Sequence, residues 1–221
     1  MTPTSVYDMM VIILQAGRGG SGVRYSKDHK QETRKQIVRA ARQIMQTDGI
    51  EGTSIPAVMG AAGLTHGGFY AYFPSKTDLV AEVCTVALAR RTTLLGEAAQ
   101  AGQPGTELAT YIDYYLGPEH SANRGGGCIL PALTGDVTRA EPAVRHALTE
   151  AVRGYAHGIA GLLPAGDPDR EDEALVLAAG MAGAVMLART VDDPALGDRI
   201  LAAARRFYRQ TFTPDVAQGG A

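Results

Sequence analysis

Residues 53–76 read TSIPAVMGAAGLTHGGFYAYFPSK, and the breaks inside this stretch decide the fold. Thr53 or Ser54 suits the cap of a helix, and Pro56 falls in its first turn, where a missing N–H costs nothing. Ile55, Val58, Met59 and Ala62 then share one face. Gly63 ends that helix, Thr65 caps a very short third one, and Pro74 prevents its continuation. Phe69, Tyr70 and Phe73 are expected to point back toward the helices before them. Ser75 caps a fourth helix with Leu79, Val83, Val86 and Leu94 on its inner face. The third helix is poor as ordinary core. Its first turn is Thr65, His66, Gly67 and Gly68, and each glycine in a helix costs about 1 kcal/mol relative to alanine. A bare backbone able to approach nucleic acid closely offsets that cost, with Thr65 and His66 reaching base edges or phosphates in the major groove. A purely structural three-helix unit has the same proportions, so spacing alone leaves both readings open.

Upstream, Ile37, Ala40, Ala41, Ile44 and Met45 recur at helical spacing, with Lys30, Arg34, Lys35, Arg39 and Arg42 outside the stripe and Asp48-Gly49 as its stop. Residues 1–22 are expected to form a disordered extension: they end in Gly17, Gly19, Gly20, Ser21 and Gly22, and their apolar stretch from Met9 to Leu14 lacks the basic flank of a signal peptide. Downstream of Gln100 the pattern stays helical, with segments at about 107–116, 129–140, 142–162, 171–191 and 194–212 and no strand-like alternation. The expected architecture is all-α, with an extension over 1–22, a helix-turn-helix over 23–74 and a helical domain over 75–221.

At this point the residues become recognisable. Gly52-Thr53-Ser54-Ile55 followed by Ala62-Gly63-Leu64-Thr65-His66-Gly67-Gly68-Phe69-Tyr70-Ala71-Tyr72-Phe73-Pro74-Ser75-Lys76 resembles the DNA-binding domain of the TetR/AcrR family over about Thr33 to Val83. Two departures stand in it. Met59-Gly60 replaces the usual aliphatic-alanine pair, and Gly68 a more usual Thr or Ala. The resemblance implies an N-terminal three-helix helix-turn-helix and a C-terminal ligand-binding and dimerisation domain. It also implies a transcriptional regulator, most often a repressor released from double-stranded operator DNA by a small-molecule effector. Carried over by position, it assigns Thr53, Tyr70, Tyr72 and Lys76 to phosphates and Thr65, His66, Gly67 and Gly68 to the bases. Lys76 lies in a first helical turn, where a cation gains nothing from the helix dipole, which fits an external phosphate; a solvated surface lysine is the plain alternative, as core packing is for Tyr70.

One small reading module attaches weakly, so specificity calls for two of them on a near-palindromic site, and a homodimer is expected. The resemblance favours a four-helix interface from the last two helices of each subunit, with Gly180, Gly183, Leu196, Ile200, Ala204 and Phe207 as candidates; the domain's own core is the alternative use of these residues. Tyr111, Tyr114, Tyr115, Cys128, Met181 and Met186 are candidates for lining an effector pocket, each equally consistent with ordinary packing. Gly127-Cys128-Ile129-Leu130-Pro131 looks like a loop-to-helix entry of a TetR subgroup with electrophile-sensing members, which makes Cys128 a candidate reactive thiol.

Composition sets the remaining bounds. The net charge of −2 conceals a division: residues 24–91 hold ten Lys or Arg against six Asp or Glu, and residues 92–221 ten against sixteen. The basic end is where nucleic acid belongs. Cys84 and Cys128 form no CxxC pair, which suits a reduced cytoplasmic setting without a disulfide scaffold. No apolar run approaches the roughly 20 residues of a membrane span, so no membrane partner is expected. An enzyme built on Cys128 with His120 or His146 is the rival class. Scattered histidines, the lack of a nucleophile elbow or phosphate loop, and the lack of metal ligands at helical spacing argue against it. No catalytic residue, metal or cofactor is expected.

Overall fold

Ser54 accepts a hydrogen bond from the Ala57 amide at 3.3 Å, and with Pro56 in the first turn it starts the helix that supports the reading element. In the computed structural model, which describes residues 27–101 and 104–213, that helix is the second of nine, followed by a 3-10 turn at His66–Ala71. In chain order the helices are α1 (Lys27–Gly52), α2 (Ile55–Ala61), α3 (Lys76–Ala101), α4 (Pro104–Tyr115), α5 (Pro118–Ala122), α6 (Leu130–Val137), α7 (Pro142–Ala160), α8 (Arg170–Thr190) and α9 (Pro194–Phe212). Among the described residues every regular element is helical. The expected extension over 1–22 lies outside the described residues.

Two compact units are formed. One holds residues 27–88 with 124–152, the other 89–101 and 104–123 with 153–213. In the first, α1 buries Ile37, Val38, Ala40, Ala41 and Met45. The regular helix ends at Asp48-Gly49 as expected: Gly49 takes φ +77° and ψ 172°, outside the helical region, and beyond this kink a short helical turn runs on to Gly52. The kink has a partner far along the chain, since the Ile50 amide donates to Asp136 Oδ2 at 2.8 Å. Gln46, buried one turn earlier, donates through Nε2 to the carbonyls of Gly127 and Cys128 at 3.1 and 3.3 Å. Residues 124–137 are thereby fastened along α1 by side-chain to backbone hydrogen bonds, which are specific in register.

Three local expectations change. The third helix is a 3-10 turn rather than α-helix, and Thr65 makes no side-chain cap to it. Tyr70 points outward at 65% exposure, while Phe69 and Phe73 are fully buried. On α3, Leu79 and Val83 face inward as expected, but Val86 is exposed and Val80, Cys84, Ala87 and Leu88 take the inner face.

In the second unit α9 packs on both α8 and α4. Asp193 caps α9 by accepting from the Ala195 and Leu196 amides at 2.9 and 3.2 Å, and Pro194 occupies its first position. Arg209 Nη1 ties α9 to Asp113 on α4 at 2.6 Å. Helix α8, at 21 residues with a mean hydropathy of 1.4 over its best window, is long and apolar enough to cross a membrane by length and composition. No such span is expected from the sequence, because Gly180, Gly183 and the charged residues at both ends interrupt the apolar pattern. On α8, Ala174, Leu177, Ala178, Met181, Ala184 and Val185 are buried by the chain's own packing, whereas Leu175, Val176, Met186 and Leu187 are exposed, so one face of the helix is packed and the other is an uncovered apolar surface.

Gly180 on α8 sits beneath Tyr208 of α9, and a Cβ there would lie 1.8 Å from the Tyr208 hydroxyl oxygen and 2.8 Å from Cζ. The glycine permits the close approach of two helices. Gly180→Ala is therefore expected to lower stability by about 1–3 kcal/mol in urea denaturation, the size of an overpacking clash. Adding Tyr208→Ala should remove that penalty, so a loss from Gly180→Ala that persists in the Tyr208→Ala background would contradict this packing.

Candidate nucleic-acid interface

The tight junction between α2 and the 3-10 turn begins at Gly63, whose φ of +72° is a conformation that favours glycine. The Leu64 amide closes on the Met59 carbonyl at 2.8 Å, and the Gly68 amide on the Thr65 carbonyl at 3.0 Å. Beneath the turn, Phe69 and Phe73 stack with centroids 5.7 Å apart and planes at 22°. With both rings turned inward, Thr65, His66, Gly67 and Tyr70 are left exposed on the opposite side. Gly68 is half-buried, and Tyr72 and Lys76 are half-exposed beside them.

The two glycines are unexplained by the fold itself. Neither has positive φ. A Cβ at Gly67 would meet nothing within 4 Å, and one at Gly68 would make only ordinary contacts with Met59 and Thr65 at 3.7 and 3.8 Å. Space is therefore left on the outer surface of the turn, where an incoming backbone or base edge would lie.

Ser75 caps α3: its hydroxyl accepts from the Asp78 amide at 3.1 Å and donates to Asp78 Oδ2 at 2.6 Å. Lys76 is thus placed in a helical first turn, as its sequence suggests. Lys30 on α1 lies with Nζ 6.0 Å from the centroid of the Tyr72 ring, adding a cation that the sequence reading had not assigned to the site. Thr53 stands apart from the group. It is 2% exposed, its hydroxyl donates to the Gly49 carbonyl at 2.7 Å, and its amide donates to Ile50. Both donors are spent inside the fold, so the side chain is not presented for a phosphate.

The six effector candidates do not form one group. Tyr111, Tyr115 and Met181 are buried and Tyr114 half-buried in the second unit, whereas Cys128 belongs to the first, where it is buried and its carbonyl accepts from Gln46. Met186 is exposed, because five residues on from Met181 turns it well away from the inward face. The Tyr111 and Tyr155 hydroxyls share a hydrogen bond. His120, missed as a member of this buried set, has its ring 4.5 Å from that of Tyr115, with Nδ1 2.7 Å from the Tyr115 carbonyl and Nε2 3.4 Å from Arg91. Arg189 donates to the backbone carbonyls of Ser121 and His120 at 2.9 and 3.0 Å.

The interface candidates on α8 and α9 also separate. Leu196 and Phe207 are exposed, Ile200 and Ala204 half-buried, and a Cβ at Gly183 would meet open space. Gly180 instead serves the contact with Tyr208 within the chain. Exposed Val176, Ala179 and Leu187 fall on the same side of α8 as Gly183, and Leu175 and Met186 flank them. Leu175, Val176 and Leu187 were not singled out from the sequence, where the Ala and Gly run between them dominates the pattern of this helix, and Met186 was assigned to the effector pocket instead.

Residues 37–83 match the family model described as bacterial regulatory proteins, tetR family. The HTH-type transcriptional regulator AcrR of Shigella flexneri is 37% identical over 60 residues, which are 27% of this chain and 28% of that protein. The HTH-type transcriptional regulator TtgR of Pseudomonas putida is 38% identical over 58 residues, 26% of this chain and 28% of that one. The match therefore spans less than a third of either relative. Among solved structures, the reduced form of E. coli NemR superposes with a TM-score of 0.70 at 21% identity, covering 81% of this chain and 96% of that one. A TetR-family regulator from Agrobacterium tumefaciens gives 0.68 at 19%, covering 83% and 99%. These structures share the fold.

His120 yields a pH signature. Burial, reinforced by Arg91 and Arg189 and opposed by the hydrogen bond to the Tyr115 carbonyl, lowers its pKa to about 3 from an ordinary 6.5. The unfolded chain takes up this proton at a higher pH than the folded one, so stability is complete above about 6.5 and declines as pH falls toward 3. From pH 8 to pH 5 the loss from this one group is about 2 kcal/mol. In urea denaturation at both pH values, His120→Gln should show a correspondingly smaller drop; a difference between pH 8 and pH 5 identical to that of the unsubstituted protein would refute the assignment.

Proposed function

From the chain's membership of the TetR/AcrR family, carried by residues 37–83, we propose that it is a homodimeric, DNA-binding transcriptional regulator, a repressor released from its operator by a small molecule. The observation that carries this reading is the outward row of Thr65, His66, Gly67 and Tyr70 above two buried phenylalanines, flanked by Tyr72, Lys30 and Lys76. Thr65 and His66 read base edges in the major groove, and Gly67 and Gly68 keep the backbone close to it. Tyr70, Tyr72 and Lys76 hold phosphates and fix the register. The relatives are themselves named as transcriptional regulators, not as enzymes. Such a protein works in the cytoplasm, on chromosomal DNA.

The apolar face of α8 and α9 is covered by the same face of a second copy. A two-fold contact presents the same patch from both subunits, which suits a stripe made of Val176, Gly183, Leu187, Leu196 and Phe207. The unit of residues 89–101, 104–123 and 153–213 carries this contact and the effector site, with Tyr111, Tyr114, Tyr115 and Met181 lining the latter. The effector acts by population shift: it favours a dimer whose reading turns no longer match successive major-groove faces, about 34 Å apart.

Two experiments test this. A duplex selected by the unsubstituted protein from a random-sequence library, and DNA upstream of its own gene, serve as probes. Lys76→Ala should weaken binding to all sequences alike and lower the salt slope by about one, whereas His66→Ala should relax preference at one position of the site. Gly67→Ala should weaken binding while leaving the urea midpoint unchanged or higher, since nothing in the fold requires a glycine there. Variants that all bind like the unsubstituted protein would refute the interface. Independently, light scattering after size exclusion should give a dimer at micromolar concentration and a monomer for Phe207→Asp; a persistent dimer in that variant would refute the α8–α9 face.

A further inference from the structure

One side chain in the first unit joins three elements at a point that neither the core nor the proposed DNA contacts account for. Arg34, on α1, donates through Nε to both carboxylate oxygens of Glu82 on α3, at 3.0 and 2.9 Å. Its Nη2 donates to Glu82 as well, and its Nη1 to the backbone carbonyl of Tyr72, just past the 3-10 turn. The guanidinium lies 4.0 Å from the centroid of the Phe73 ring. A single planar group therefore grips a carboxylate edge-on, a backbone carbonyl at its other end and an aromatic face below, a combination that an ammonium cannot make. The Arg34 and Glu82 side chains are 37% and 28% exposed, and ion pairs in that range add little to stability. What this one fixes is the position of a carbonyl. Tyr72 lies between Tyr70 and Lys76, so the path of the chain across all three proposed phosphate contacts is held from this point.

We propose that Arg34, clamped by Glu82, is a positioning residue for DNA binding that holds the Tyr70–Lys76 segment in the pose that meets phosphates. The inference rests on the DNA-binding reading given above. A direct phosphate contact by Arg34 would be the simpler use of a cation here, and the two uses differ in sign. If Arg34 met phosphate itself, Glu82→Gln would free it and remove a repelling charge, and binding would tighten. If Arg34 acts through the Tyr72 carbonyl, Glu82→Gln loosens the clamp and weakens binding, although it makes the protein more positive.

The test uses the full-length protein and a duplex that it has itself selected from a random-sequence library, with affinity read by fluorescence anisotropy and salt varied. Each variant is corrected for its active fraction by stoichiometric titration, and its helicity is checked by circular dichroism, so that partial unfolding does not pass for weak binding. Glu82→Gln is expected to weaken binding roughly tenfold and to lower the salt slope by about one, as a phosphate contact loosens. Arg34→Lys, which keeps the charge, is expected to do the same, and the double variant to be no weaker than either single one. Unchanged or tighter binding by Glu82→Gln, with the unsubstituted protein binding normally, overturns this proposal alone. If the unsubstituted protein selects no duplex, the DNA-binding reading falls and this proposal falls with it.

Discussion

A six-residue 3-10 turn has few hydrogen bonds with which to hold itself, and the shape of this one is imposed from beneath. Phe69 and Phe73 are both fully buried and stacked, and α2 packs against the turn with Met59 and Val58 inward. Burying two phenylalanines is worth about 2–3 kcal/mol each, more than the turn's own backbone bonds contribute. Because those two rings take the inward direction, the residues before and between them have only the outward one. The exposure of Thr65, His66, Gly67 and Tyr70 follows from that burial, and Arg34 over the Phe73 ring extends the same packing to α1 and α3. The reading surface is thus a by-product of a small aromatic core rather than of helix propensity, which two glycines would have opposed.

Features set by local chemistry were legible in the chain. Ser54 and Pro56 start α2, Gly63 turns the chain with positive φ, and Ser75 caps α3, each for a reason confined to a few neighbouring residues. Where the period changes, legibility failed. Read at 3.6 residues per turn, Tyr70 joins Phe69 and Phe73 on one broad face; but the turn is 3-10 and ends at Ala71, so Phe73 lies beyond it, no single period spans the three residues, and the phenol ends in solvent. Thr53 shows another limit. Its residue type suits a phosphate contact, but a hydroxyl can fold back on its own helix, and here it does so to Gly49. Gly180 and Gly183 read alike in sequence, yet one lies under a tyrosine and the other against open space, a distinction that only a neighbouring helix can draw.

Long-range connections were beyond any local pattern. Gln46 with Gly127 and Cys128, and Ile50 with Asp136, are separated by more than eighty residues. Each joins a side chain to a backbone group, so no complementary pair of residue types announces it. Their consequence is that the unit bearing the reading turn includes residues 124–152 and is not a contiguous N-terminal segment. Whatever moves α6 acts on the kinked end of α1 directly, through hydrogen bonds whose donors are buried or partly so.

That division also revises the electrostatic picture. Along the sequence the basic end looks distinctly positive, but the compact unit of residues 27–88 and 124–152 carries ten cationic side chains against nine anionic ones. Several of those cations are already engaged: Arg34 by Glu82, Lys35 and Arg39 by Glu32, Arg139 by Asp136. Four of the ten are thus paired with carboxylates within the fold, and non-specific attachment scales with the number that reach phosphate instead. A unit this close to neutral cannot hold DNA by charge alone. Its affinity has to come from the placement of a few contacts and from two units bound together, so the geometry around Tyr72 and the apolar face of α8 and α9 carry the weight that a strongly basic domain would have carried by charge.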